Sequence, residues 1–134
     1  MDYLKYLEQN SLSAVLFDGD APIASSADHG VLPMLRFFRE GAIHGRSVAD
    51  KVVGRAAASL AAEGGAERVF ACVGSDCGAA VLEAAGIPYF FAERVPIIRT
   101  PTGDICPMER LTDGSADAAE AAARIESFFA AKGV

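Results

Sequence analysis

Asp50 and Lys51 are adjacent residues of opposite charge in the segment SVADKVVGRAAASLAAEGG, residues 47–65. The rest of this segment is mostly small or apolar, so this carboxylate and this amine are its clearest chemical groups. A carboxylate can serve as a general acid or base, and a lysine amine can serve as a nucleophile. The segment begins with a capping-box-like spacing and ends with two glycines, which predicts one helix over residues 47–65.

The helical period gives the two charged residues different surroundings. At about 100° per residue, Asp50 lines up with Gly54 and Ala57, where such a helix would approach its neighbour most closely. Lys51 falls on a polar stripe with Arg55. Burying an unpaired carboxylate is costly, so Asp50 needs a partner. Two interpretations stay open: Asp50 caps the helix, or it is a functional group in a pocket.

Cys106 is a second candidate for chemistry, in GDICPMER at residues 103–110. It directly precedes Pro107, which suits the first position of a helix. A thiol at a helix N-terminus can be held as the nucleophilic thiolate, so we expect Cys106 to react fastest with iodoacetamide. The alternative is a partly buried packing role. The two histidines, His29 and His44, lie in no motif that would pair with this thiol.

Three further candidates lie in VGSDCG, residues 73–78, where a predicted strand turns into a helix. Ligands of α/β proteins commonly bind at this edge of the sheet, and free backbone N–H groups there can hold an anion or a polar group. Ser75, Asp76 and Cys77 are therefore candidate ligand-binding residues. The alternative is a plain helix cap, since Ser75 and Asp76 are both good N-cap residues.

The order of predicted elements indicates a sheet covered by helices. Short amphipathic patterns predict helices, and runs of β-branched and aromatic residues predict strands. In chain order we expect an N-terminal helix, strands at 13–17 and 22–25 forming a hairpin, helices at 32–40 and 47–65, a strand at 67–73, a helix at 77–85, a strand within 87–96, a short helix from Pro107 and a closing helix at 117–132.

Length and composition narrow the function classes. The 134 residues suit one domain, 1–134, and half of them are apolar. The net charge is −6 without a basic cluster, which argues against a nucleic-acid partner. No apolar run approaches the roughly 20 residues of a membrane span, and the N-terminus does not look like a signal peptide. Three cysteines without a CxxC pair favour a cytoplasmic protein with free thiols. Formation of a homo-oligomer stays open.

The segments ADKVVGRAAA and CPMER, with LEAAGI between them, resemble the domain of unknown function 1893 family over about residues 12–112. This resemblance implies a cytidine deaminase-like fold. The expected architecture is a three-layer α/β/α domain with a mixed sheet of about five strands. The helix that begins at Ser47 would pack at its centre.

The resemblance also implies where a site should lie. Zinc deaminases begin the central helix with His/Cys-Ala-Glu and place Pro-Cys-x-x-Cys at the next strand-to-helix turn. Here Val48 and Asp50 take the first positions, and residues 74–78 hold one cysteine instead of two. A catalytic zinc needs three protein ligands, so we expect neither a metal nor another cofactor. The implied vacated pocket would be lined by Asp50, Lys51, Ser75 and Asp76, with Cys106 nearby and Cys77 and Glu109 as further ligand-binding candidates.

Three classes of function are compatible with this sequence. The first is binding of a small polar ligand, such as a nucleotide or nucleoside, without deamination. The second is a metal-independent enzyme that uses Asp50 as acid or base and Cys106 or Lys51 as nucleophile. The third is a structural or regulatory oligomerisation module with a vestigial pocket.

We predict that the purified protein carries no stoichiometric zinc and deaminates neither cytidine nor adenosine. Without the metal ligands, nothing generates the attacking hydroxide. Elemental analysis after mild chelation and an absorbance assay check the two expectations. Retention of about one zinc per chain, as in a three-ligand site, or turnover that is lost in Asp50→Asn would contradict this prediction.

Overall fold

Five strands form one mixed sheet in the computed structural model, which describes residues 1–134. The sheet order is β2-β1-β3-β4-β5, with β1 antiparallel to both neighbours and β3, β4 and β5 mutually parallel. The predicted hairpin is confirmed as β1 and β2. The strands are β1 Ala14–Asp18, β2 Ala21–Ser26, β3 Ser47–Val53, β4 Arg68–Ser75 and β5 Tyr89–Val95.

Six helices accompany the sheet. Most of them lie within a few residues of the predicted positions, and the exception is the segment 47–65. None of the six has the length and apolar character of a membrane-crossing helix. The helices are α1 Tyr3–Gln9, α2 Leu32–Arg39, α3 Arg55–Gly64, α4 Asp76–Ala84, α5 Pro107–Thr112 and α6 Ala118–Ala131.

The prediction of one helix over residues 47–65 is wrong. Residues 47–53 form the central strand β3, and only the part from Arg55 onward is helical. Strand β3 pairs with β1 on one side and β4 on the other, and this pairing outweighs a local capping pattern. Gly65, in the left-handed conformation, ends α3 as the glycine pattern predicted. Asp50 is therefore a strand residue, and its interpretation as a helix cap is wrong.

Helices cover both faces of the sheet. On one face, Leu7 of α1 packs in a small cluster with Val15, Phe17 and Ala49. On the other, the larger core joins the alternate strand residues, such as Val48, to α2, α3, α4 and α6. Successive strand residues point to opposite faces, so both clusters follow from one alternating pattern. The result is three layers.

Helix α3 lies at the centre of the thicker helical layer, in contact with α2, α4, α5 and α6. Ala56, Ala57, Leu60 and Ala61 are buried, as the stripe of small and apolar residues predicted. Ser59 lies four residues after Arg55 and so falls on the same predicted polar stripe, but it is fully buried. The reason is that α3 has neighbours on several sides, so little of its circumference reaches water.

The start of α4 lies very close to the end of β3. A Cβ added at Gly78 would lie 2.8 Å from the carbonyl oxygen of Val53, well inside normal contact distance. The backbone of Val53 cannot shift easily to relieve this overlap, because Val53 belongs to the central strand. This close approach joins the two strand-to-helix turns of the parallel half of the sheet.

We predict that Gly78→Ala destabilises the protein by about 1–3 kcal/mol through this overlap. Helix propensity alone predicts the opposite sign, a gain of up to about 1 kcal/mol for alanine over glycine. Urea unfolding of both proteins measures the difference. A more stable variant would show that the two turns have room to separate.

Candidate functional site

A cavity of about 360 Å³ opens where β3 ends, between the segment before α2, the start of α3 and the start of α5. Four residues singled out in the sequence line it: Asp50, Lys51, Cys106 and Glu109. They come from distant parts of the chain, so the fold brings them together. We call this space the Asp50 cavity.

The other three sequence candidates lie elsewhere. Ser75 is buried and caps α4, where its hydroxyl oxygen accepts the backbone N–H of Gly78 at 3.0 Å. The capping alternative is therefore confirmed for this residue. Asp76 is exposed and pairs with Arg94, with Nε and Oδ1 2.7 Å apart. Cys77 lines a separate groove between helices. The expectation that these three residues share a pocket with Asp50 is wrong, because the second turn packs against the first.

The Asp50 carboxylate is almost fully enclosed yet has little to bind. The residue is 4% exposed, it forms no ion pair, and the Val52 N–H donates to its carboxylate only at a long distance of 3.4 Å. Burial raises the pKa of Asp50 to about 7, although backbone hydrogen bonds from Val52 and Lys51 act in the opposite direction. Near neutral pH this group can therefore both donate and accept a proton.

Lys51 does not neutralise Asp50. The two are successive residues of a strand, so their side chains point to opposite faces of the sheet. Lys51 is exposed, and the alternation of strand side chains places it on the α1 side of the sheet, where Cys72 also lies. There, burial raises the pKa of the Cys72 thiol, and the Lys51 ammonium opposes that shift. Lys51 therefore borders the cavity without supplying the partner that Asp50 lacks.

Glu109 is also buried at 4% exposure, but its carboxylate is well partnered. Its Oε1 accepts the backbone N–H of Arg55 at 2.8 Å, at the first residue of α3. A carboxylate at a helix N-terminus is stabilised by the free N–H groups and by the helix dipole. Gly54 makes this contact feasible, because a Cβ there would overlap Glu109 Oε1. Glu109 therefore lines the cavity and also caps the N-terminus of α3.

The resemblance placed the start of the central helix at Val48 and Asp50, and that assignment is wrong. The central helix begins at Gly54 and Arg55. Neither a glycine nor an arginine supplies a zinc ligand of the deaminase kind. No three His, Cys, Asp or Glu side chains come together in an arrangement suited to a metal ion.

Cys106 occupies the predicted position, directly before Pro107 at the N-cap of α5, and it is half-buried in the cavity wall. His29 also lines the cavity, which the sequence did not indicate. Nothing around His29 forms a motif, and it reaches the site only because the β2–α2 connection closes over the end of β3. The imidazole gives the cavity a further polar group.

The comparisons with known proteins assign the family. Residues 2–129 match the family model described as Domain of unknown function (DUF1893). The chain belongs to this family. It is also similar to the crystal structure of a DUF1893 family protein from Thermotoga maritima, with a TM-score of 0.85 and 28% sequence identity. That match covers 92% of this chain and 85% of the other chain. No curated protein matches the chain.

Family membership confirms the resemblance seen in the sequence and extends it beyond residues 12–112. The structural match spans both helical layers and the sheet, because it covers nearly the whole chain. The family description assigns no activity, so function has to be argued from the residues of the site.

We predict that Asp50→Asn stabilises this DUF1893 protein at high pH. The ordinary carboxyl pKa is 3.8 and the folded one is about 7, so between these values the folded state binds more protons than the unfolded state. Stability therefore falls as pH rises through this window, and the full cost of burying the charge, on the order of 4 kcal/mol, is present above it. Asparagine cannot ionise and avoids this cost.

Urea unfolding at about pH 5 and about pH 8 measures the effect, which should be larger at the higher pH because ionisation of Asp50 is then complete. Asp76→Asn is the matched control, since that carboxylate is exposed and its ion pair is worth at most about 1 kcal/mol. If Asp50→Asn raises the stability equally at both pH values, ionisation of the Asp50 carboxyl is not the cause of the gain in stability.

Proposed function

We propose that this DUF1893 protein binds a small polar ligand of the nucleoside or nucleotide class in the Asp50 cavity and does not deaminate it. The observation that carries the proposal is the buried Asp50 carboxylate, which faces an open cavity without a cation or a short hydrogen bond. A protein gains little stability from such a group. A ligand that donates N–H groups would satisfy it.

The walls of the cavity suit a flat ring with a polar edge. Val31, Ala56, Ile98 and Met108 give apolar surface, while Asp50 supplies the polar anchor. A volume of about 360 Å³ lies at the lower end of the range for small-molecule sites, which fits a nucleobase or a nucleoside. Nucleobases carry N–H donors on their edges, and a carboxylate can accept two of them side by side.

The charge of the cavity determines which part of a nucleotide can enter it. The cavity contains two carboxylates, and the one lysine at its border points to the other face of the sheet, so a phosphate group inside would be repelled. Any phosphate of a nucleotide would therefore remain outside the cavity. The base and sugar are the parts that the cavity selects.

The scaffold supports the same proposal. The resemblance implies a cytidine deaminase-like fold, and the sheet order β2-β1-β3-β4-β5 with α3 packed behind its centre agrees with the expected three layers. In such a scaffold the start of the central helix would hold the zinc ligands. Here that position is taken by Gly54, Arg55 and the capping carboxylate of Glu109. Binding without zinc-dependent deamination is consistent with that replacement.

A second candidate is a metal-independent enzyme, and one observation favours it. Cys106 lies in the same cavity as Asp50, whose pKa of about 7 suits general acid–base catalysis. In this function Cys106 would be the nucleophile and Asp50 the acid or base. Lys51, the other nucleophile suggested by the sequence, fits less well because it faces the opposite side of the sheet.

We predict that nucleobases or nucleosides raise the melting temperature of the wild-type protein, since a ligand at 100 times its Kd adds about 2.7 kcal/mol of stability. Asp50→Asn should weaken binding by about tenfold or more, because it removes an acceptor that pairs with a donor on the ligand. Asp76→Asn, outside the cavity, should bind normally. Thermal shift followed by calorimetry of each hit measures both effects.

No shift from any nucleobase or nucleoside, or equal affinity in wild type and Asp50→Asn, would refute the proposed site. Chromatography of a hit after long incubation separates the two candidate functions. An unchanged ligand supports binding. Product formation that is abolished by Cys106→Ser, with binding retained, would support the enzyme.

A further inference from the structure

A second groove, of about 460 Å³, lies between α3, α4 and the start of α6. It shares no lining residue with the Asp50 cavity. Its wall consists of alanines in and beside α4 and α6, Val81, and polar side chains that include the carboxylates of Glu63 and Asp117. Three further polar side chains are those of Arg55, Ser59 and Cys77, and we call the space the Cys77 groove.

Cys77 lies against a fixed cation in this groove. Arg55 donates from Nη2 to Cys77 Sγ at 3.0 Å. The same guanidinium is held by the carbonyl oxygen of Thr112 at 3.0 Å and by the carboxylate of Asp113 at 3.4 Å, so its position does not depend on the thiol. Cys77 also lies in the first turn of the nine-residue helix α4, and a neighbouring cation together with a helix N-terminus is the environment typical of reactive cysteines in proteins.

Ser59 gives an independent sign that the groove is incomplete. Its side chain is fully buried, and Oγ has no hydrogen-bond partner. Leaving a buried hydroxyl unpaired costs about 1–3 kcal/mol. Ser59 lies four residues after Arg55, so both side chains project from the same face of α3 toward the groove. An acceptor atom placed in this groove would find two donors, one charged and one neutral.

We propose that Cys77 is a modification site whose sulfur, reacting in its thiolate form, is oxidised by a small hydroperoxide to sulfenic acid. The sulfur attacks the terminal oxygen of the hydroperoxide, an S–O bond forms and the O–O bond breaks. The sulfur loses two electrons and the hydroperoxide gains them. The transferred oxygen keeps its hydrogen, and the departing alkoxide or hydroxide takes a proton from water. The oxygen now on sulfur can accept from Arg55, and it is the kind of partner that Ser59 lacks.

This inference moves the reactive thiol away from the residue that the sequence favoured. Cys106 has no cationic side chain on its sulfur, and the helix that follows it has only six residues. Cys72 lies within β4 against the α1 layer, where burial raises its pKa. All three cysteines are free and at least partly accessible. The cation at Cys77 is therefore the feature that distinguishes them.

Limited alkylation of the full chain with iodoacetamide, followed by peptide mass mapping, tests reactivity without any substitution. We expect Cys77 to react about tenfold faster than the other two cysteines in the folded protein, and faster than the same residue in urea-unfolded protein. A slower rate in the folded chain, or faster labelling of Cys106, would overturn the proposal.

Hydrogen peroxide followed by dimedone tests the oxidation step. The expected result is a dimedone adduct on Cys77, and its absence from Cys77 would overturn the proposed product.

Arg55→Gln should slow alkylation to the rate of the unfolded chain, whereas Asp113→Asn, which removes another partner of the same guanidinium, should not. If Arg55→Gln does not fold, the alkylation rates of Cys77 in folded and urea-unfolded wild-type protein still test the proposal. Ser59→Ala should leave alkylation unchanged and shorten the lifetime of the sulfenic acid.

Discussion

The hydrogen bond from the Arg55 backbone N–H to the Glu109 carboxylate fixes the junction on which both cavities depend. It joins the end of β3 to α5, and it requires Gly54 to have no side chain. The backbone of this junction forms part of the Asp50 cavity, while the side chain of Arg55 reaches the other way to Cys77. One strand-to-helix turn therefore shapes two chemically different spaces.

The elements that could be predicted from the sequence are those whose pattern is local. The hairpin, helices α2 and α4, and the C-terminal end of α3 at its glycines belong to this group. The central strand could not be predicted in the same way, because Ser47–Val53 has an acid and a base inside it and a capping-box spacing at its start. Its strand conformation comes from hydrogen bonds to β1 and β4, which are distant in the chain. The three valines of this segment, Val48, Val52 and Val53, are its local strand signal.

The site residues show the same distinction between local pattern and long-range packing. Asp50 and Cys106 were chosen from local chemistry, and the fold brings them to one cavity although 55 residues separate them. Ser75 was equally plausible by local chemistry, but it is used as a helix cap. His29 was overlooked because its place in the cavity depends only on how a connection closes. Residue type can predict what a side chain is able to do, whereas long-range packing decides what it faces.

Two buried carboxylates in one cavity show how the fold distributes its stabilising contacts. Glu109 receives the N–H of a helix start, and its charge contributes to holding α3 and α5 together. Asp50 receives backbone N–H groups alone, that of Val52 at 3.4 Å, and burial raises its pKa to about 7. Folding alone does not require a charged residue at this position of β3, because an apolar side chain would pack there without that cost. In the proposed function, the Asp50 carboxylate is the partner of a ligand group that the chain itself does not contain.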